Sequence, residues 1–348
     1  MSGFIKVITG GRPREIGYDI GRATADILRE LAAANPSFYR RQTRRSFDFL
    51  KKFVRRRFLP HCRHIFPEYI EEIAGMAEGA GLDFYDLFIF SAEEELLDLW
   101  GGWDKCSSAA VRTRGGLYLL HNEDYIGRYH GRLVIVEASP KGRPAFLSLG
   151  YPGTLAGSAC GLNNAGVAFG GNSLRFPPGR AGIPKNFVLR KLLAARSIKD
   201  VERTMAIGPR LVSNNVTVAS SRERAAAYVE AADGGSARVD LGAAGILTHT
   251  NHILSPDIDS RRERPTRKSF LRLASLEYLL SRRRGKFTLD GLKRILSSGR
   301  GGLCYFNAQP EEPTTLASIV MDPARGRMFV ANRCGNDPGY REYRLRGR

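Results

Sequence analysis

The chain has 348 residues, 43% hydrophobic and 26% charged with 38 glycines, a composition of ordered, turn-rich globular proteins that excludes a largely disordered chain. Its formal charge of +19, from 54 Lys and Arg against 35 Asp and Glu, attracts phosphates, acidic ligands or anionic surfaces but specifies no chemistry. No apolar run is long enough for a membrane helix, and residues 1–11 lack the cationic start and apolar core of a secretory signal, so a soluble, cytoplasmic protein is expected.

Residues 14–34 place Ile16, Ile20, Ile27, Leu28 and Leu31 at helical spacing, and Asn35-Pro36 ends the pattern. A second helix is predicted within 40–64, where lysines and arginines interleave with Phe47, Leu50, Phe53, Val54 and Phe58. That pattern is an amphipathic helix with a cationic, solvated face; its sharper reading is a nucleic-acid or lipid surface. Pro67 opens a third helix that ends at the glycines 79 and 81, and 83–100 predicts one or two short helices with Asp86 or Ser91 as caps. About a hundred mainly helical residues thus precede Cys106.

Strands dominate after it. They are predicted at 107–113, 116–122, 131–138, 144–149 and 164–170, then at 214–220, 225–231 and 244–249, and finally at 314–321, 327–332 and 341–345. Helix pairs at 184–195 and 198–207, the second starting at Ser197, and at 265–282 and 288–297 separate these groups. The alternation predicts a layered α+β fold with two sheets packed between helices.

Five cysteines, at 62, 106, 160, 304 and 334, are an odd number without a short repeated spacing, which predicts reduced thiols and neither a disulfide framework nor a Cys-x-x-Cys metal site. His61-Cys62-Arg63-His64 fits no zinc spacing and reads as helix surface. Gly170-Gly171 and Gly301-Gly302 read as turns, because neither precedes the Lys-Ser/Thr of a phosphate loop. No metal or cofactor is expected.

Cys106 opens one predicted strand and Asp124 closes the next, so the two meet across a hairpin turned at Gly115-Gly116. A thiol attacks as thiolate and needs a base. One route supplies histidine, from His121, His249 or His252. The other cuts the bond between Lys105 and Cys106, so that the new α-amine, with a reference pKa of about 8, is the base.

The order of motifs resembles a known family. Cys106-Ser107-Ser108, Asn122-x-Asp124-Tyr125, the run from Gly161 through Asn163-Asn164 to Gly171-Asn172, Thr248-His249-Thr250-Asn251-His252, and Glu72-x-x-Gly75-x-Ala77-Glu78-Gly79 are similar to the acyl-coenzyme A:6-aminopenicillanic acid acyltransferases. Those belong to the N-terminal nucleophile hydrolases and resemble the choloylglycine hydrolases. The resemblance implies a four-layer αββα sandwich, self-cleavage into 1–105 and 106–348, and fragments that stay associated. It makes Cys106 the nucleophile of both self-cleavage and turnover, Asp124 the holder of its α-ammonium and Asn251 the oxyanion donor. Asn172 would face the substrate. An arginine after Asn251 would contact it too, and of Arg261, Arg262, Arg264, Arg267 and Arg272 the choice here is Arg267. Lys105 departs from the glycine the family often has before the nucleophile. The expected substrate is a small amide, peptide or acyl thioester whose acyl group passes to water or an amine. No specific nucleic-acid partner is expected, and residues 40–64 allow weak contact with an anionic surface. The alternative is a basic nucleic-acid or anionic-surface binding protein without catalysis.

Overall fold

A computed structural model describes residues 4–99, 106–232 and 235–346. The chain begins with strand β1 (Ile5–Gly11) and seven helices: α1 (Pro13–Ala23), α2 (Ala25–Thr43), α3 (Phe47–Arg57), α4 (Leu59–Ile65), α5 (Pro67–Ala80), α6 (Phe84–Ser91) and α7 (Glu93–Asp98). Strands β2 (Ser107–Thr113), β3 (Gly116–Ile126), β4 (Val134–Pro140), β5 (Phe146–Gly150), β6 (Cys160–Asn163) and β7 (Val167–Leu174) follow. Helices α8 (Lys185–Leu192) and α9 (Ile198–Met205) lead to β8 (Ser213–Ser220), β9 (Ala225–Ala232), β10 (Gly235–Asp240) and β11 (Ile246–His249). Helices α10 (Arg267–Ser281) and α11 (Leu289–Leu296) precede β12 (Pro313–Asp322), β13 (Arg327–Ala331) and β14 (Arg341–Arg344).

The strands form an eight-stranded sheet, β1-β4-β5-β6-β7-β8-β9-β10, and a six-stranded sheet, β11-β2-β3-β12-β13-β14. β2 and β3 pack face to face against β7 and β8. Alternation along β2 sorts its side chains: Ala110 joins the core between the sheets, whereas Ala109 and Val111 meet Leu276 and Leu280 of α10 and Leu292 and Ile295 of α11 on the outer face. On the other outer face α1 covers β1 and β4, and α9 covers β8 and β9. The predicted αββα sandwich is therefore the architecture observed.

The N-terminal region is more tightly built in than a helical appendage. β1, absent from the predicted strands, pairs in parallel with β4. The glycines of the Glu72 motif serve α1: a Cβ on Gly75 would lie 2.0 Å from the Arg14 carbonyl oxygen, and one on Gly79 2.2 Å from that of Tyr18. Glu72 itself is buried against Arg190 of α8, with Nη2 2.8 Å from Oε2.

Other predictions need correction. The helix from 14 is broken at Thr24 instead of Asn35-Pro36, and α2 carries Pro36 in its interior. Leu28, Leu31, Phe38 and Tyr39 are all buried along it, and their packing outweighs the hydrogen bond that proline removes. The N-cap of α6 is Asp83, whose carboxylate accepts from Tyr85 N, and not Asp86 or Ser91. The strand predicted at 164–170 starts later, at Val167, because residues 164–166 form a turn in which Gly166 takes φ +88°, and β6 before that turn is absent from the predicted strands. The expectation of five reduced thiols fails for two, because Cys304 and Cys334, 30 positions apart, form a disulfide. Only the fold, by returning the chain past β12 and β13, brings them together. Among the described residues, no helix is long and apolar enough to cross a membrane.

Candidate active site

The β2–β3 hairpin closes at Thr113 and Gly116 and pairs Ser107 with Asn122 and Ser108 with His121. One pair further on, Cys106 meets Glu123, not Asp124: Sγ donates to Glu123 Oε2 at 3.4 Å and lies 3.8 Å from the Asp124 backbone oxygen. Glu123 Oε2 also contacts His121 Nε2 at 2.7 Å, and its Oε1 accepts from the Tyr151 hydroxyl. His121 thus reaches the thiol only through Glu123. Through Nδ1 it meets Ser108 Oγ at 2.9 Å, and Ser108 donates to Asn172 Oδ1 at 2.9 Å. Cys106, His121 and Glu123 offer donor atoms within 4.8 Å of one another, a set of types that zinc accepts.

Cys106 is 3% exposed and has φ +74°, a left-handed conformation that costs a non-glycine residue about 1–3 kcal/mol. Burial, then the charges of Glu123 and Asp124, push its thiol well above the ordinary cysteine range, against the opposing pull of Lys185. The thiol faces a small cavity of about 20 Å³, lined by Phe90, Glu93, Glu94, Tyr129, Tyr151 and Lys185 among others, with room for about one water molecule.

Asp124 lies on the other face of β3. Its Oδ1 accepts from Thr315 Oγ1 at 2.6 Å, and Oδ2 lies 4.0 Å from Arg272 Nε. Oδ2 is fully buried and has no hydrogen-bond donor among the described residues. Burial raises this carboxyl to about 6, although Arg272 and Thr315 pull it down. Arg272, buried on α10, gathers the rest of the site: Nε donates to Ser107 Oγ at 3.2 Å and Nη2 to Asn251 Oδ1. Asn251 Nδ2 donates to the Ser173 carbonyl at 2.8 Å.

The structure therefore brings Cys106, Asp124 and Asn251 to one locality, joined through Arg272 and Ser107. Asn172 is fully buried between Ser108 and Asn215 and does not line the cavity. Arg267 is exposed in the first turn of α10, whereas Arg272, one turn further on, is buried beside Asn251. Lys105, and with it the scissile bond, lies outside the described residues. His249 is bound to Glu230 at 2.6 Å, and burial lowers His252 to about 4; neither contacts the thiol. In α3 and α4, Leu50, Val54, Leu59 and Cys62 are buried while Arg55, Arg56, Arg57, Arg63 and His64 are exposed, the amphipathic arrangement expected of a solvated cationic face.

The family model described as acyl-coenzyme A:6-aminopenicillanic acid acyl-transferase matches residues 111–333. The chain belongs to this family. The matched span holds Asp124, Asn172, Asn251 and Arg272 and begins after Cys106. Among relatives of this acyl-transferase family member is the 40 kDa form of acyl-coenzyme A:6-aminopenicillanic-acid-acyltransferase from Emericella nidulans, 25% identical over 80% of this chain and 77% of the relative. Another is the beta-alanyl-dopamine/carcinine hydrolase of Drosophila melanogaster, 25% identical over 57% of this chain; the match spans 56% of that protein's length. A mutant conjugated bile acid hydrolase from Clostridium perfringens is similar in structure, with a TM-score of 0.47 and 14% identity over 69% of this chain and 92% of that one.

Proposed function

We propose that the protein is a self-processing cysteine N-terminal nucleophile enzyme that cleaves a small amide, peptide or acyl thioester through a Cys106 thioester and passes the acyl group to water or an amine. The observation that carries the reading is Cys106 itself: a buried thiol on a cavity wall, in a left-handed backbone conformation, at the residue where the chain would be cut. Membership of a family named for acyl transfer, with a named amide hydrolase among the relatives, supports the reaction class.

In the uncut chain the thiol is held protonated by burial and its anionic neighbours, which suits an idle precursor. Self-cleavage would begin with Sγ attack on the Lys105 carbonyl carbon. The C–N bond then breaks, leaving a thioester and a free Cys106 amine, and water hydrolyses the thioester to release 1–105 with a new carboxylate. Asp124 Oδ2, which accepts no hydrogen bond from the described residues and has Arg272 only at 4.0 Å, suits the ammonium so created. β1 and the Glu72–Arg190 pair would keep the fragments together.

In turnover the α-amine takes the thiol proton as Sγ attacks the substrate carbonyl, and Asn251 Nδ2 donates to the oxyanion. Loss of one such donor costs about 3–4 kcal/mol of transition-state stabilisation. The α-ammonium protonates the departing amine or thiolate. Water or an acceptor amine then attacks the thioester, the α-amine removing its proton.

Intact mass of the purified protein under denaturing conditions tests this. Two fragments parting between Lys105 and Cys106, with a single inactive chain for Cys106→Ala, are expected. A Cys106→Ala protein that is cut or active overturns the assignment.

A further inference from the structure

A chain of hydrogen bonds with one fixed end decides which nitrogen of His121 carries a proton. The Thr250 carbonyl can only accept, and it receives Asn215 Nδ2 at 3.0 Å, so Asn215 Oδ1 is left to receive Asn172 Nδ2 at 3.1 Å. Asn172 Oδ1 then takes the one proton of Ser108 Oγ at 2.9 Å, and that hydroxyl is left to accept from His121 Nδ1, also at 2.9 Å. With its proton on Nδ1, the neutral ring aims the lone pair of Nε2 at Glu123 Oε2, 2.7 Å away. A lone pair and a carboxylate oxygen face each other at that distance only with a proton or a metal ion to hold them.

Cys106 Sγ supplies a third donor to the same place. It lies 3.4 Å from Glu123 Oε2, and the three donor atoms are within 4.8 Å of one another. Tetrahedral zinc, with bonds of about 2.0–2.3 Å, sets N, O and S ligands about 3.4–3.6 Å apart. Sγ and Oε2 already stand near that spacing, and Nε2 and Oε2 need to part by only about 0.7 Å to reach it. The Tyr151 hydroxyl occupies Glu123 Oε1, leaving Oε2 for an ion. One thiolate and one carboxylate neutralise a divalent charge, as burial demands where Cys106, His121 and Glu123 are 3%, 0% and 4% exposed. Cys106 and Glu123 both line the cavity of about 20 Å³, whose single water completes four-coordination. Behind the ring, Ser108 and Asn172 make the outer hydrogen bonds that orient a metal-binding imidazole.

We propose that Cys106 Sγ, His121 Nε2 and Glu123 Oε2, with one water, form a zinc site that holds the thiol idle. On binding, the ion takes the place of the thiol proton, which leaves to solvent. The sulfur electron pair is then engaged by zinc and does not attack a carbonyl carbon. Binding stands on the three donors alone, whereas its effect on catalysis rests on the reading of Cys106 as the nucleophile.

The test titrates zinc into the purified full-length protein, first freed of metal by a chelator, and follows alkylation of Cys106 by mass. One ion per chain is expected, with a Kd below about 1 µM. Zinc should slow alkylation of Cys106 at least tenfold, and the chelator should restore it. Cobalt in place of zinc should give a thiolate-to-cobalt charge-transfer absorption that Cys106→Ser lacks. Glu123→Gln is expected to weaken zinc binding by about 100-fold or more, and Ser108→Ala, which removes only the outer bond to Nδ1, by about tenfold. His64→Asn, at an exposed position on α4 next to Cys62 and His61 in sequence, controls for surface zinc and should leave binding unchanged. If Glu123→Gln does not accumulate, the cobalt spectrum and Ser108→Ala carry the test. Absence of the cobalt–thiolate absorption, or zinc binding undiminished in Glu123→Gln, overturns the site and leaves a proton between Nε2 and Oε2. Turnover that needs Cys106, in a protein that binds no zinc there, overturns the site alone. Zinc that binds and protects Cys106 without slowing self-cleavage or turnover leaves the site standing and overturns the reading of Cys106 as the nucleophile.

Discussion

Glu123 Oε2 lies 3.4 Å from Cys106 Sγ, inside the sandwich, while the next side chain, Asp124, points to the opposite face of the sheet and meets Thr315 and Arg272. The two carboxylates consequently have different surroundings: Glu123 faces the sulfur, and Asp124 faces Thr315 and Arg272. A negative charge beside a thiol opposes its ionisation.

Replacing Glu123 by Gln removes that charge and is expected to lower the pH at which the Cys106 thiol becomes reactive. Alkylation rates measured from pH 6 to 10, with the modified residue located by mass, check this. An unchanged profile would mean that burial and Asp124, without Glu123, set the thiol's behaviour.

Arg272 is 1% exposed and contacts Ser107, Asn251 and Asp124. Arg272→Leu is expected to cost about 3–5 kcal/mol, because it strands a buried carboxylate. Arg272→Lys keeps the charge but lacks the planar fork, so a smaller stability loss with at least about a tenfold fall in turnover is expected. Denaturant midpoints and steady-state rates separate the two.

The hairpin itself was legible. A two-residue turn at 114–115 fixes the register, and counting outward from Thr113 and Gly116 sets Cys106 against Glu123. The expected pairing of Cys106 with Asp124, taken from the ends of the two predicted strands, is one residue out of this register. Arg272 was visible only as one of five arginines after Asn251; which of them turns inward depends on how α10 lies on β11, a tertiary fact. Glutamates are rarely buried, and nothing in the run Glu93-Glu94-Glu95 marks it as an exception. Here all three are buried because Lys185 and the tyrosines converge on them from segments far along the chain. Likewise, Gly170 read as a turn residue and lies in mid-strand.

Glu95 makes stability depend on pH. Burial, with Glu94 beside it, raises its carboxyl to about 8, against about 4.3 in an unfolded chain. A raised carboxyl means that the folded state binds the proton more tightly. The associated stability is complete below about pH 4 and is lost as pH rises through 8, an upper bound of roughly 5 kcal/mol. Glu95→Gln is expected to be somewhat less stable than the parent at pH 5 but to lose much less between pH 5 and 9. Thermal unfolding across that range is the measurement, and parallel curves for the two proteins would contradict it.

Gly170 sits on β7 opposite His121, and a Cβ there would come within 2.8 Å of His121 Nδ1 and 3.2 Å of its Cβ. The imidazole has little freedom to retreat, since Glu123 holds Nε2 and Ser108 holds Nδ1. The backbone is fixed too, because β7 is paired on both sides, with β6 and β8. Overpacking of this kind costs about 1–3 kcal/mol. Gly170→Ala is therefore expected to lower the denaturant midpoint by that amount and, by tilting His121 off Glu123, to alter the pH dependence of Cys106 alkylation. Gly242→Ala is the matched control, because a Cβ at that position meets nothing within 4 Å; it should leave both measurements within about 0.5 kcal/mol of the parent. If Gly170→Ala matches that control, the imidazole is not wedged between the sheets as described.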